Sequence, residues 1–209
     1  MAIYSLACDS TIPSTSDEQE KILKVGQQAE PLHPPKGEPA QWSISPEERR
    51  KLQAPFEFSP FEICPPPGVN YVTYDEANFS HVWFGPDRPI GMSTHFTVSL
   101  VKLSAEEASK PVEELQKQFM KAMQSRHKRW KEEPAQFGMI DGVKFRRAVW
   151  VGVTRSGHEM SGVLYSAIHN QQMIQIMCRD LTKENPDVIN LGDSAARTFR
   201  TLPATGEQK

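Results

Sequence analysis

The stretch Val143-Lys144-Phe145-Arg146-Arg147-Ala148-Val149-Trp150-Val151-Gly152-Val153 alternates at period two, which places Phe145, Arg147, Val149, Val151 and Val153 on one face of a predicted strand. Arg147 is the one break in that apolar face. Arg155-Ser156-Gly157-His158 turns the chain, residues 160–168 return as a second alternating run, and His169-Asn170-Gln171-Gln172 leads into a third over residues 173–178. Asn185-Pro186-Asp187 then caps a run at helical spacing, with Val188, Leu191, Ala195, Phe199 and Leu202 on its stripe.

The same order stands upstream, over residues 61–133. Phe61 and Ile63 read as a strand stopped by Pro65-Pro66-Pro67-Gly68, and Phe79-Ser80-His81-Val82-Trp83-Phe84 as a second closed by Gly85-Pro86. Residues 92–103 form a third, with Phe96, Val98 and Leu100 facing one way and His95, Thr97, Ser99 and Val101 the other. The interval with Asp87 and Arg88 is a loop or small excursion. Ser104-Ala105-Glu106-Glu107 fits a capping box and Pro111 offers a second helix start. Val112, Leu115, Phe119, Ala122, Met123 and Trp130 lie on one stripe, so the helix is expected to run to Glu133-Pro134. Two such blocks predict a small sheet buried by helices. That design does not itself fix a binding surface.

With 209 residues the chain is read as one domain over residues 55–203, preceded by a flexible segment, 1–54, and followed by a tail, 204–209. Residues 9–54 are polar, carry Pro31, Pro34, Pro35 and Pro39, and lack the apolar content to offset their ordering entropy. Within them Ser45-Pro46-Glu47-Glu48 starts a short helix to about Leu52. Trp42 is a lone apolar residue there, either a docking handle or packed on its own domain. A flexible linker of this length spans roughly 40 Å. The 24 basic and 26 acidic residues nearly balance, so no field gathers nucleic acid. No apolar run reaches the ~20 residues needed to span a bilayer.

Three cysteines, Cys8, Cys64 and Cys178, are too few and scattered for a disulfide scaffold or a paired zinc site. Cys64 and Cys178 read as small buried hydrophobes, with a disulfide between them as the alternative. The opening Met1-Ala2-Ile3-Tyr4-Ser5-Leu6-Ala7-Cys8-Asp9 resembles the end of a bacterial lipoprotein signal, which makes Cys8 a lipidation candidate and a possible membrane tether. Ser5 replaces the usual aliphatic residue and no basic start precedes it, so such a signal would be truncated. The alternative is an ordinary start with an incidental cysteine.

Gly91-Met92-Ser93-Thr94-His95 lacks the closing glycine of a nucleophile elbow, and no phosphate loop, dinucleotide fingerprint or HExxH occurs. No catalytic residue and no cofactor are therefore expected. His81, His95, His158 and His169 fall near strand ends, where two of them with an acid such as Glu159 could hold a divalent metal; the plainer reading is local pairing at turns. Lys117, Lys121, Lys128 and Lys131, with Arg126 and Arg129, form a basic run on the predicted helix. Lys121, Arg126, Lys128 and Lys131 make a possible binding face, or a solvated one. Trp83, Trp150 and Tyr165 read as sheet packing.

Phe61-Glu62-Ile63 before Pro65-Pro66-Pro67-Gly68, Gly142-Val143-Lys144-Phe145-Arg146 leading a strand pair, and Ala196-Arg197-Thr198-Phe199 closing the last helix resemble the PsbP-like superfamily over residues 56–202. That superfamily gathers PsbP, Mog-type Ran-binding proteins and DcrB-like envelope lipoproteins. The resemblance implies an α+β fold, an antiparallel sheet of about six strands flanked by helices in an α/β/α sandwich, and a non-enzymatic module that docks on a protein partner. With Cys8 as tether, the expected setting is the bacterial cell envelope. The alternatives are a soluble intracellular protein-binding module like the Ran-binding relatives, and a metal-assisted enzyme using the strand-end histidines.

Overall fold

The computed structural model of the protein describes residues 39–75, 79–89 and 91–203. In chain order these form β1 (Ala40–Gln41), α1 (Pro46–Arg50), β2 (Phe56–Phe58), β3 (Phe61–Ile63), β4 (Asn70–Asp75), β5 (Ser80–Phe84), β6 (His95–Lys102), α2 (Ala105–Ala108) and α3 (Val112–Gln124). There follow β7 (His127–Glu132), β8 (Gln136–Ile140), β9 (Val143–Thr154), β10 (Glu159–His169), β11 (Gln172–Leu181), α4 (Val188–Ala196) and β12 (Arg200–Thr201).

Two tight turns fix the register of the central strands. Asp141 and Gly142, at φ 49° and 75°, join Ile140 to its partner Val143, and Asn170 and Gln171, at 48° and 58°, join His169 to Gln172. Two successive left-handed residues make the hairpin turn whose twist matches that of the strands it connects. The main sheet runs β1-β8-β9-β10-β11-β6-β5-β4, with β7 also paired to β9. Only β1 on β8 is parallel.

The sheet is larger than the six strands expected: nine strands, with a separate three-stranded sheet β12-β3-β2. Phe61–Ile63, expected in the main sheet, belongs to the small one. The extra strands lack a clean period-two signal. In β4 the register shifts at Val72, so Tyr71 opposite Trp83 and Tyr74 opposite His81 share a face at a spacing of three.

The same effect disguised β7. The helix expected to reach residue 133 ends at Gln124, and residues 127–132 pair with β9 as a strand. A bulge between Lys128 and Lys131, with Arg129 at φ 50°, puts His127 and Trp130 on one face, where both pack on Trp150. Inward residues three apart imitate a helical stripe. On α3 itself the buried residues are Gln116, Met120 and Met123, and the Gln116 amide donates to the carbonyls of Arg146 and Leu164, each at 3.3 Å. At the C-terminus α4 stops at Ala196, and Phe199, fully buried, continues the apolar stripe from the turn beyond it.

Each face of the sheet carries its own core. On the first, Phe96, Val98, Phe145, Val149, Val163, Ile174 and Ile176 meet α4 and the small sheet. On the second, Ala148, Trp150, Leu164, Met177 and Leu181 meet Met120 and Met123 of α3. Gly192 lets α4 lie on the first face: a Cβ there would sit 2.4 Å from Val163 and 2.7 Å from Cys178. Cys64 and Cys178 are buried free thiols, and burial pushes the Cys178 thiol up.

Of the segment expected to be a linker, residues 1–38, including Cys8, lie outside the described residues, while 39–54 are folded onto the domain. The Trp42 amide donates to the Met139 carbonyl at 2.8 Å, and its indole covers Gly138, where a Cβ would come within 2.3 Å of the ring. Trp42 also meets the Tyr165 ring edge-on at 5.5 Å. The Ser45–Glu48 capping box is formed, and Gln53 donates to the carbonyls of Pro65, Pro66 and Val69.

Beneath Trp42 lies the answer to the charge at position 147. The Arg147 guanidinium donates from Nε and Nη2 to the two carboxylate oxygens of Asp193 on α4, both at 2.7 Å, and the Tyr165 hydroxyl donates to Asp193 Oδ1 at 2.7 Å. Burial alone would lower the Arg147 pKa, but the Asp193 carboxylate outweighs it and holds it above the usual value. Burial raises the Tyr165 phenol, with the Asp193 charge acting the same way. Glu133, 3.9 Å from Arg147 Nη1, is raised by its own burial. Arg147→Met strands a buried carboxylate and is expected to cost about 3–5 kcal/mol, read from urea unfolding. Arg147→Met with Asp193→Leu, which removes both charges, should recover part of that loss.

Candidate functional site

Among the described residues, helix α3 packs against β9 and β10 and no element covers the β11-β6-β5-β4 half of the second face. The uncovered strip is an open groove of about 840 Å³. Its floor comes from alternate residues of each strand: Val82 and Phe84 on β5, His95, Thr97, Ser99 and Val101 on β6, Gln175 and Met177 on β11, with Phe119 of α3 as one wall. Val82, Thr97, Gln175 and Met177 are buried even so. Polar groups from Thr73, Ser80, His95, Thr97, Ser99 and Gln175 are interspersed along it. Ser80 and Ser99 share a hydroxyl hydrogen bond at 2.6 Å across the strands.

One end of the groove is basic. His95 stacks face to face on Phe84 at 4.7 Å, and its Nδ1 accepts a hydrogen bond from Arg179 Nε at 3.0 Å. Burial and the Arg179 charge lower the His95 pKa to about 4, so the ring is neutral at pH 7 with Nδ1 unprotonated. Arg179 lies two residues beyond Met177 on β11 and therefore on the same face. Its guanidinium is held below its ordinary value by burial and by the nearby Arg126 charge, and among the described residues no acidic side chain pairs with it. A half-buried cation next to another cation favours an anion.

Behind this end the excursion after β5 is pinned to the sheet. Arg88 donates to both oxygens of the Asp180 carboxylate at 2.5 and 2.9 Å, and Thr94 Oγ1 donates to it at 2.5 Å. Burial opposes the Asp180 charge, yet these donors leave its pKa below the usual value. Asp180 is thereby committed to Arg88 and Thr94 rather than to Arg179.

The four histidines named as metal candidates do not meet. His81 sits on the first face among the rings of Phe58 and Tyr74, at 5.3 and 4.9 Å, where burial lowers its pKa. His158 lies in the β9–β10 turn with its amide donating to Thr154 Oγ1, and His169 pairs with Asn170 at the next turn. Among the described residues no three His, Cys, Asp or Glu side chains come together as metal ligands. The reason is pleating: His81 and His95, on neighbouring strands, project from opposite faces of the sheet.

The four basic residues do not share a helix either. Lys121 is on α3, Arg126 follows its end, and Lys128 and Lys131 stand exposed on β7. Lys121 borders a cleft of about 370 Å³ that also holds Glu113, Lys117, Glu132 and Arg146, which mixes the signs. Lys128 and Lys131 have another use. β7 pairs with β9 along one side only among the described residues, and charged side chains on such an edge discourage pairing with other chains.

These features define an α+β sandwich built on one large antiparallel sheet, and the fold is PsbP-like. Cyanobacterial PsbP (CyanoP) from Synechocystis sp. PCC 6803 superposes with a TM-score of 0.54 at 12% identity, covering 73% of this chain and 94% of that one. LpqN, involved in cell envelope biogenesis of Mycobacterium tuberculosis, superposes at 0.53 and 10% identity, covering 78% and 99%. At such identities the likeness is one of fold. No family model and no curated protein matches the chain.

The depressed His95 pKa has a pH signature. Between its ordinary value of 6.5 and about 4 the unfolded chain binds a proton that the folded chain refuses. Stability from this residue is therefore complete above pH 6.5 and is lost as the pH falls towards 4. His81 acts in the same direction. Urea midpoints of the wild type should drop across this window, and those of His95→Phe should drop less.

Proposed function

We propose that the protein is a non-catalytic binding module of the bacterial cell envelope, and that its site is the groove on the second face, which takes an apolar ligand bearing one anionic group. The observation that carries this is the groove itself: a concave, mainly apolar strip within the ~300–1,000 Å³ range of small-molecule sites, lined at one end by neutral His95, to which Arg179 donates from beside the groove. Val82, Phe119 and Met177 offer contact to hydrocarbon, and Thr97, Ser99 and Gln175 tolerate water when the groove is empty. The anionic group would lie at Arg179, whose charge lacks a carboxylate partner among the described residues. The envelope setting is supported by the sequence around Cys8 and by the fold shared with an envelope-biogenesis protein.

A fluorescent polyene fatty acid tests the groove. It should bind saturably to the purified chain and fail to bind Thr97→Trp, in which the indole fills the floor. Arg179→Met should weaken the fatty acid about tenfold while leaving the matching fatty alcohol unchanged, since a charge-assisted hydrogen bond contributes about 1.5–3 kcal/mol. Undiminished binding to Thr97→Trp removes the groove from consideration. The tether has its own test: cells fed a labelled fatty acid should transfer label to the chain in the membrane fraction and not to Cys8→Ala. Unlabelled protein found only in the cytosol ends that part of the reading.

A further inference from the structure

The large hydrophobic side chains left exposed among the described residues are Tyr71, Val72, Tyr74, Phe79 and Phe84, between 38% and 56% exposed, and all lie on β4, β5 or the turn between them. They gather at one margin of the main sheet. The three margins of that sheet differ. β7 is guarded by Lys128, Arg129, Lys131 and Glu132, and β8 is covered by β1. β4 runs Asn70-Tyr71-Val72-Thr73-Tyr74-Asp75, with no lysine, arginine or proline, and among the described residues no strand pairs with its outer side. A sheet edge that is apolar and open is a template for another strand.

We propose that β4 pairs antiparallel with β4 of a second copy of this chain across a two-fold axis between Val72 and Thr73. Three observations favour a second copy over another strand. First, the edge is apolar from Tyr71 to Tyr74: both tyrosines stand near the His81 ring, and Val72 between them is more than half exposed. A second copy brings an equally apolar and equally open edge, so one pairing satisfies both backbone ladders at once. Second, the sequence suits itself. With that axis, Tyr71 falls opposite the partner's Tyr74 and Tyr74 opposite the partner's Tyr71, so the shift at Val72, which puts both rings on one face, yields a symmetric cluster of four. Third, the size suits a reversible dimer. Tyr71, Val72 and Tyr74, each about half exposed, give roughly 250 Å² at ~200 Å² for an aromatic ring. Doubled across the axis, and with the backbone ladder added, the interface falls below ~1,200 Å², in the class of weak, concentration-dependent contacts. The dimer carries two grooves side by side on one face of a continuous sheet.

Sedimentation of the full chain over a range of concentrations tests this. The wild type should pass from monomer to dimer, and Val72→Lys, at a half-exposed position, should stay monomeric with an unchanged far-ultraviolet spectrum. Amides of β4 should exchange more slowly in concentrated than in dilute wild-type solution, a readout that needs no variant. A wild type that stays monomeric at every concentration overturns the proposal. So does a dimer that survives Val72→Lys, or one whose β4 amides exchange at the monomer's rate. Neither arm involves the fatty acid, so failure here leaves the groove reading standing.

Discussion

The bidentate pair between Arg147 and Asp193 is the constraint on which the first face of this protein is organised. A guanidinium on an otherwise apolar strand face can be buried only where a carboxylate meets it with matched geometry. Asp193 supplies that from the middle of α4, and Tyr165 fills part of the remaining capacity of the carboxylate. The pair therefore sets where α4 lies along β9 and β10, and Gly192 beside it permits the close approach. Once α4 is fixed, the turn after it delivers Phe199 to the core, and β12 reaches β3 and hence the small sheet. Thr201 then donates twice to Asp141, tying this end to the turn that starts β9. A buried ion pair adds little net energy over a well-packed apolar pair, but losing one member is costly. Its contribution is to position.

How far this was legible in the sequence follows from which strands keep a strict alternation. β9, β10, β11 and β6 are long, pleat regularly and connect through short loops, so their period of two survives in the text. β4 and β7 each contain a bulge, which inserts a residue and leaves inward side chains three apart. In β7 that spacing joined the stripe of α3 and produced one long helix where there are a helix and an edge strand. Polar residues hid other elements. The segment at 39–54 is hydrophilic by composition, yet one indole over a glycine and a few backbone hydrogen bonds hold it on the sheet. Composition reports whether a segment can fold alone, not whether a neighbour will accept it.

The site was half legible. The mixed face of β6, with His95, Thr97, Ser99 and Val101, already departed from a core strand, and those residues line the groove. Arg179 carried no such sign, because on β11 it follows an apolar run and only the pairing of β11 with β6 sets it against His95. The histidine cluster failed for a reason outside sequence spacing: which face a strand presents depends on its register with its neighbours. The basic run was visible as composition, but its split between α3 and the β7 edge depends on where the helix stops.

The groove and the bare edge have one geometric origin. Eight strands in order at about 4.8 Å span roughly 34 Å, whereas a helix with its side chains is only about 10–12 Å across. On the first face α4 is supplemented by the small sheet and Trp42, which together close the core as far as Trp83. On the second face, among the described residues, α3 works alone and covers the β9–β10 half. The remaining half carries hydroxyls and an amide among its apolar residues, a floor suited to water or a ligand. At β4 and β5 that compromise stops: the outermost residues are aromatic on both sides, although the other free edge of the same sheet is charged. An edge so composed is suited to pairing, and the two-fold arrangement of β4 joins it to a second edge of the same kind.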